Sequence, residues 1–199
     1  MTLPSEDTAL PAAKLDGDNN PRNLTTVLVA RLSALGDVAM TVPVIYSACL
    51  CYPAVRFIFI TRRSMTSIFI NAPANLTVIG LDLTDDYNGV QGIWRLYREL
   101  KLKYAFDGFI DLHDVLRTKI FAAFCRLGHI PVSVINKGRK GKRALTRRRG
   151  KVLLPLISSR ARYRQAFHHI GLPVVNRFEG LFGEGKSVPT MFAPICPPR

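Results

Sequence analysis

The sequence lacks any segment that would place the chain in a membrane or direct it to secretion. Charged side chains such as Arg31, Asp37, Arg56 and Arg62 interrupt the longest apolar runs, so none reaches the ~20 residues that span a bilayer. The first twenty residues are acidic and lack the basic start and apolar stretch of a signal peptide. We therefore expect a soluble, cytoplasmic protein with at most peripheral membrane contact.

Cysteine is also scarce, with four residues at positions 49, 51, 125 and 196. Cys49 and Cys51 lie two residues apart on a predicted helix, so their side chains point in different directions and cannot form an ordinary disulfide. No Cys-x-x-Cys pair or histidine cluster has zinc-site spacing. We expect buried free thiols in a reducing cytosol and no metal.

Several catalytic signatures are missing as well. The sequence contains no Gly-x-Ser-x-Gly elbow, no Walker loop and no Cys/His pairing with the spacing of a nucleophile. The turn after the first predicted strand holds the single glycine Gly36, whereas dinucleotide binding requires Gly-x-Gly-x-x-Gly. An NAD-dependent oxidoreductase is therefore excluded.

What the sequence does contain is an alternation of short apolar runs and amphipathic segments over one domain's length, 199 residues. Strands are predicted at Thr26–Leu32, Val55–Thr61, Leu76–Leu81, Phe106–Leu112 and Ile130–Ile135. Helices are predicted from Leu35 (with a kink or late start at Pro43), at Ser64–Asn71 with Ser64 as cap, and at Ile93–Leu102, Val115–Leu127 and Arg160–Ile170. This order predicts an α/β fold with a Rossmann-like, mostly parallel sheet and helices on both faces.

Composition divides the chain into three parts. Residues 1–23 mix Pro, Asp, Asn and Ala without periodicity, which predicts a flexible N-terminal arm. Residues 24–174 form the predicted Rossmann-like domain. Residues 175–199 are rich in Pro and Gly and are typical of a linker or tail toward a further domain.

The positive charge is concentrated in one segment. The formal net charge is +14, and residues 137–164 hold twelve Lys or Arg with no Asp or Glu. Such a segment favours an anionic partner: a glycolipid head group, an anionic membrane surface or, by charge alone, a nucleic-acid backbone. A solvated basic loop is the alternative.

Residues 27–43 form the most informative stretch, because a strand, a tight turn and a helix entrance follow one another there. Asp37 lies in the first turn of that helix, where the helix dipole favours its ionised form. At the carboxyl end of a strand such a carboxylate can accept a proton from a substrate hydroxyl. The alternative is that it stabilises the dipole without doing any chemistry.

A second polar constellation, residues 111–118, follows the fourth predicted strand. Strand alternation places Asp111 and His113 on the same side, Asp114 is a candidate cap for the next helix, and Arg117 lies one turn into it. A metal site is weakly indicated, since no third ligand has suitable spacing. The alternative is a set of ordinary capping and solvated residues.

Residues 27–43, together with Phe-Asp-Gly-Phe-Ile-Asp-Leu-His-Asp-Val-Leu-Arg-Thr at 106–118, resemble the motifs of the lipopolysaccharide heptosyltransferases. These enzymes belong to glycosyltransferase family 9, with a two-domain GT-B fold. The resemblance runs from about Val27 to Val174. It implies the N-terminal acceptor domain of an enzyme that transfers heptose from ADP-heptose to a lipid A core, without a metal or other cofactor.

The resemblance also assigns roles to individual residues. Asp37 would be the base, Ser33 and Gly36 would form the turn that holds the acceptor, and His113 would face it. Arg117 stands where the family has Lys, and Lys142 and Arg143 fall near a basic position that contacts the acceptor. His113 and Asp114 replace the family's Gln-Gly, which leaves the acceptor's identity open.

The family's nucleotide-sugar site lies mainly in the C-terminal domain, so we expect this chain to hold the acceptor half and the base, with little transfer by itself. The partner expected is an anionic glycolipid of the lipid A core at the cytoplasmic face of the inner membrane, and no nucleic acid. The competing hypothesis is a non-catalytic basic α/β module that binds nucleic acid or an anionic membrane. The position of the basic segment relative to Asp37 distinguishes the two.

Overall fold

The structure, a computed structural model, describes residues 22–83, 87–139 and 157–182. In this part of the chain the strands are β1 (Thr26–Ala30), β2 (Arg56–Arg62), β3 (Leu76–Leu81), β4 (Gly108–Asp111) and β5 (Val132–Val134). The α-helices are α1 (Leu35–Ala39), α2 (Val42–Cys51), α3 (Gly89–Tyr104), α4 (Leu116–Leu127) and α5 (Ser159–His169). Most of the predicted arm, residues 183–199 of the predicted tail, Lys142, Arg143 and Cys196 lie outside the described residues.

The five strands form one parallel sheet in the order β3-β2-β1-β4-β5, which confirms the predicted fold class. All five residues of β1 are buried, as is typical of a strand covered on both faces. On one face α2 and α5 pack over side chains such as Val27, Val29 and Phe57. On the other face α3 and α4 pack over Leu28 and Ile58.

The strand order places a topological switch point between β1 and β4. The chain moves outward from β1 to β3 and then crosses back to β4 on the other side of β1. Ala30 and Asp111 pair across the two strands at their carboxyl ends. In open α/β sheets, ligands bind in the crevice at such a point.

The helical pattern that begins at Leu35 is divided into α1 and α2. Pro43 lies in the first turn of α2, where its missing N–H needs no partner. The hydroxyl of Thr41 donates to the carbonyl of Val38, 2.6 Å away, at the junction. Of the two outcomes allowed for Pro43, the structure shows the new helix start.

Two predicted caps are wrong. The segment after β2 is a 3-10 helix, Arg63–Ile68, preceded directly by Arg62, so Ser64 lies inside it and cannot be its N-cap. Helix α4 begins after Val115 rather than Asp114. The hydroxyl oxygen of Thr118 accepts the Val115 N–H at 3.1 Å, which leaves Asp114 outside the helix.

Helix α4 is apolar on two sides. It packs on the sheet through Thr118, Phe121, Ala122 and Cys125. The apolar positions that the sequence pattern places on one face, Leu116, Ile120, Ala123, Phe124 and Leu127, are half-buried or exposed, and Ile120 and Phe124 pack partly against the core. The helix therefore presents a second apolar stripe outward.

Part of the predicted tail packs on the domain. The ring of Phe178 meets the ring of Tyr46 edge-on, with centroids 6.0 Å apart. The amide nitrogen of Asn71 donates to the carbonyl of Leu181 at 2.9 Å. The packed domain therefore reaches at least Leu181.

Candidate active-site cleft

A cleft of about 310 Å³ opens at the carboxyl ends of β1, β4 and β5. It is lined by Arg31, Ser33, Ala34, Asp37, His113, Ile135, Lys137, Ser159, Arg162 and Tyr163. The cleft lies at the topological switch point, so the predicted strand–turn–helix corner is positioned where this fold binds ligands.

The carboxylate of Asp37 is paired with Arg31 and remains accessible from the cleft. One of its oxygens pairs with the guanidinium of Arg31. Arg31 is buried and also donates to the carbonyl of Leu112 at 2.5 Å. The Asp37 side chain remains 43% exposed, so the ion pair orients it while leaving it accessible to a ligand.

A buried tyrosine supports the same turn from α5. The hydroxyl of Tyr163 donates to the backbone carbonyl of Asp37 at 3.4 Å. Burial raises the pKa of Tyr163, so its hydroxyl stays protonated and can act as a donor. Helix α5 thereby fixes α1 against the sheet.

His113 and Ser33 meet across the β1–β4 junction. Nε2 of His113 lies 3.3 Å from the hydroxyl oxygen of Ser33, within hydrogen-bonding distance. Burial, reinforced by the positive charges of Arg31 and Lys137, lowers the pKa of His113 to about 4. The imidazole is therefore neutral at pH 7, with Nε2 at the Ser33 hydroxyl and Nδ1 buried without a hydrogen-bond partner.

Asp111 shapes the turn that carries His113. It is fully buried, and its Oδ1 accepts the backbone N–H groups of His113 at 2.8 Å and Asp114 at 2.9 Å. Burial raises the pKa of the Asp111 carboxyl, against the opposing effect of these two hydrogen bonds. Asp111 is thus a structural residue below the cleft rather than part of its lining.

Asp114 has an electrostatic role in place of the predicted capping role. Its backbone is left-handed, with φ of 50°. Its carboxylate lies 3.3 Å from Nζ of Lys119, 3.2 Å from a guanidinium nitrogen of Arg139 and 3.9 Å from Nζ of Lys137. Asp114 therefore anchors the start of the basic segment beside the cleft.

Both described ends of the basic segment meet at the cleft. Lys137 and Arg162 line it, and a guanidinium nitrogen of Arg162 donates to the carbonyl of Lys137 at 3.1 Å. Nζ of Lys137 donates to the carbonyl of Asp114 at 2.9 Å. Together with Arg31 these residues make three cations in the cleft lining, where Asp37 is the single carboxylate.

The structure thus brings together Ser33, Asp37 and His113 of the predicted site. Gly36 lies in α1 directly before Asp37 rather than in a turn, is exposed and does not line the cleft, and a Cβ atom added there would meet nothing within 4 Å. Arg117 is not in the cleft: it lines a separate small cavity between α4 and the sheet. Lys142 and Arg143 cannot be placed, since they fall outside the described residues.

Sequence reasoning missed Arg31, Arg162 and Tyr163. Arg31 had a visible signal, a single cation at the end of an otherwise apolar strand and six residues before Asp37. Arg162 was visible only as one of the twelve cations of the basic segment, and Tyr163 had no signal, because only tertiary packing brings α5 to this edge of the sheet.

Within residues 22–83, 87–139 and 157–182, no three His, Cys, Asp or Glu side chains are close enough to hold a metal ion. Cys49, Cys51 and Cys125 are buried free thiols, as predicted. Among the helices of this part of the chain, none has both the length and the apolar content needed to cross a bilayer.

The lowered pKa of His113 predicts an acid-sensitive fold. The unfolded chain has the ordinary histidine pKa of about 6.5, so it binds the proton first as the pH falls, and the folded state loses stability between about pH 6.5 and pH 4. The loss attributable to this half-buried group is on the order of 1–2 kcal/mol. Urea unfolding of the wild type and of His113→Gln, each at about pH 6.5 and about pH 4, measures this loss in the free energy of unfolding. Equal losses in the two proteins would contradict this assignment.

Comparison with known proteins shows which solved structures share this fold. No family model matches the chain, and no curated protein matches it in sequence. The structure of a glycosyltransferase family 9 protein from Veillonella parvula superposes with a TM-score of 0.52 at 17% identity, over 83% of this chain and 45% of that one. The structure of Escherichia coli heptosyltransferase WaaC with ADP-2-deoxy-2-fluoro heptose superposes with a TM-score of 0.52 at 16% identity, over 78% of this chain and 51% of that one.

The same heptosyltransferase with ADP gives a TM-score of 0.50 at 19% identity. The chain spans about half the length of these solved structures. The predicted resemblance is therefore confirmed at the level of the fold: the chain is a Rossmann-like α/β unit of the kind found in glycosyltransferase family 9 and heptosyltransferase structures.

Proposed function

We propose that this chain forms the acceptor half of a glycosyltransferase that moves a sugar from an ADP-sugar to an anionic glycolipid. The observation that carries the proposal is the placement of the Asp37 carboxylate and three cations in one cleft at the switch point of the sheet. A base beside cations suits an acceptor that has both a reacting hydroxyl and negative charge.

In the proposed reaction, Asp37 accepts the proton of an acceptor hydroxyl while that oxygen bonds to the anomeric carbon of the donor sugar. The bond from that carbon to the diphosphate oxygen breaks, ADP leaves, and the configuration inverts. The pairing of Asp37 with Arg31 keeps the carboxylate in one orientation. The Ser33 hydroxyl, oriented by Nε2 of neutral His113, is the group that would hydrogen-bond a hydroxyl of the acceptor.

The cations indicate the acceptor class. Arg31, Lys137 and Arg162 outnumber the single carboxylate of the cleft lining. Phosphate and carboxylate groups of a lipid A core bearing Kdo or heptose would complement them, and guanidinium groups bind such oxyanions with charge-assisted hydrogen bonds. ADP-heptose is the proposed donor, and the reaction as written needs no metal.

The competing hypothesis of a non-catalytic basic module for nucleic acid or membrane is less well supported. It would be favoured by a basic segment on the face opposite Asp37. Lys137 and Arg162 instead lie at the Asp37 cleft, where a base would be unnecessary for charge-only binding.

The test is a transfer assay on the protein at the length its host expresses. ADP-heptose and a lipid A precursor bearing Kdo are incubated with it, and mass spectrometry detects an added heptose. Transfer to this acceptor with release of ADP supports the proposal. Strong nucleic-acid binding without any transfer from ADP-sugars would contradict it.

Gly36 offers a substitution that separates folding from binding. Because a Cβ there meets no other atom and the position is helical, Gly36→Ala should keep or raise stability, by about 0.5–1 kcal/mol. In the proposed complex the methyl group would intrude on the acceptor, so we expect the acceptor KM to rise about tenfold. Thermal melts and steady-state kinetics measure the two effects. An unchanged KM would show that no ligand approaches this turn.

A further inference from the structure

We propose that the outer surface of α3 and α4 docks on an anionic phospholipid bilayer. This outer α3–α4 face consists of Trp94, Arg98 and Leu102 on α3 and of Leu116, Ile120, Ala123 and Leu127 on α4. The inference does not depend on the transfer reaction, since it rests on a surface remote from the Asp37 carboxylate.

The first observation is the second apolar stripe of α4. Its residues, Leu116, Ile120, Ala123 and Leu127, recur at spacings of four, three and four, so they share one side of the helix. The opposite side already packs on the sheet, and of the stripe only Ile120 is partly buried against the same core. Leu116 is 75% exposed and Leu127 is 76% exposed, whereas a helix that is apolar on both sides ordinarily buries both.

The neighbouring helix extends the same apolar surface. An open groove between α3 and α4 is lined by Val90, Trp94, Tyr97, Phe124 and Leu127, among others. The indole of Trp94 stacks on Tyr97, with centroids 5.5 Å apart, and meets Phe124 edge-on at 4.9 Å, yet it remains 45% exposed. A tryptophan with one supported face and one exposed face is characteristic of the membrane interface.

The charges of the two helices identify the partner. Helix α3 contains four basic residues and α4 three, against a single acidic residue, Glu99. Two of the seven do not contribute to the outer face: Arg117 lines the cavity between α4 and the sheet, and Lys119 pairs with Asp114. Arg95, Arg98 and Arg126 are among the exposed ones. An amphipathic surface with Leu and Trp on the apolar part and Lys and Arg beside it binds anionic lipid, at about 1 kcal/mol per nearby cation. A second copy of the chain is disfavoured, because two faces of this charge would repel each other.

The apolar stripe of α4 runs along the sheet from its carboxyl edge to its opposite edge. Helix α4 follows the carboxyl end of β4, so Leu116 lies at the cleft edge of the sheet and Leu127 at the other end of the helix. The stripe spans about 16 Å along the helix. Docking through it would lay the layer formed by α3 and α4 on the lipid surface, with the cleft-lining helix α5 on the opposite face of the sheet.

Trp94 makes the proposal directly measurable, because it is the single tryptophan of the chain. The 199-residue protein is mixed with vesicles of phosphatidylglycerol and phosphatidylcholine, or of phosphatidylcholine alone, with and without brominated lipid. We expect a blue shift of the Trp94 emission and its quenching by brominated lipid only on the anionic vesicles, with binding weakened by salt.

The variant Leu116→Gln/Leu127→Gln should lower the partition coefficient about tenfold or more, since two apolar side chains no longer enter the interface. Leu50→Gln/Val175→Gln, which changes two residues that are each 49% exposed and lie elsewhere on the molecule, is the matched control and should bind like the wild type. Circular dichroism verifies the folding of both variants. The quenching experiment uses the wild-type protein, so it tests the proposal even if a variant does not fold.

Three results would overturn the proposal. The first is vesicle binding without quenching of Trp94, as expected if the basic segment alone binds lipid. The second is an equal loss in both double variants. The third is sedimentation of the wild type as a dimer that Leu116→Gln/Leu127→Gln dissociates, which would assign the face to a second copy. If the protein transferred no sugar but lipid still quenched Trp94, the proposed transferase function would be rejected and the proposed lipid-binding face would stand.

Discussion

Replacing Asp37 by asparagine is expected to lower kcat for sugar transfer about a thousandfold, because general-base assistance contributes roughly 10²- to 10⁴-fold in enzymes. The amide oxygen of asparagine can still accept from Arg31, so the turn should keep its geometry. The acceptor KM should stay within about threefold, since the cations of the cleft are unchanged. Steady-state kinetics on the protein at the length its host expresses measures both constants.

The matched control for this loss of charge is Glu99→Gln on α3, an exposed residue whose carboxylate accepts from the hydroxyl of Tyr87. It should transfer sugar at the wild-type rate. Loss of transfer in Asp37→Asn with acceptor binding retained supports the base. A kcat equal to that of the wild type would rule Asp37 out of that role, and a raised KM alone would reduce Asp37 to a binding residue.

Replacing Asp111 by alanine is expected to destabilise the domain by about 3 kcal/mol. The substitution leaves the backbone N–H groups of His113 and Asp114 without their acceptor, and each unsatisfied buried group costs about 1–3 kcal/mol. For a chain of this size the melting temperature should fall by about 10 °C. Calorimetry or circular dichroism measures the shift.

Asp111→Asn separates the hydrogen bonds from the charge. Its side-chain oxygen can accept both N–H groups, and it removes a carboxyl whose pKa burial already raises. We expect it to cost less than about 1 kcal/mol. If asparagine proved as damaging as alanine, the buried charge rather than the two hydrogen bonds would be holding the turn.

The fold was largely predictable because its signals are local. Each strand is a short β-branched or aromatic run, such as the seven residues of β2, and the helices between them follow the helical period. Errors occurred where two local signals competed. Ser64 and Asp114 are common cap residues, but the chain turns directly after Arg62, and Thr118 satisfies the N–H of Val115.

Periodicity also failed to indicate which side of α4 faces the sheet. The apolar positions that include Leu116 and Leu127 form a longer regular pattern than the buried set of Thr118, Phe121, Ala122 and Cys125. The spacing of apolar residues shows which face of a helix is apolar, but it does not show whether the sheet or solvent lies against that face. The exposed stripe therefore became visible only in the structure.

The site residues that are neighbours in the sequence were predictable, whereas those that only tertiary packing brings together were not. Ser33, Gly36 and Asp37 lie within five residues at the start of α1, and strand order brings His113 beside Ser33. The buried contact of Arg31 with Leu112 and the approach of Arg162 and Tyr163 depend on long-range packing, which no local pattern encodes. Arg117 shows the reverse case, since its helical position is correct but it lies away from the cleft.

The most direct measurement is acceptor binding to this 199-residue chain by isothermal titration, with a water-soluble lipid A core fragment that carries Kdo and phosphate. We expect saturable binding that weakens at least about tenfold in Lys137→Ala/Arg162→Ala, weakens with salt and persists in Asp37→Asn. ADP should not compete. Binding that ADP displaces, or that is indifferent to Lys137 and Arg162, would contradict an acceptor site in this cleft.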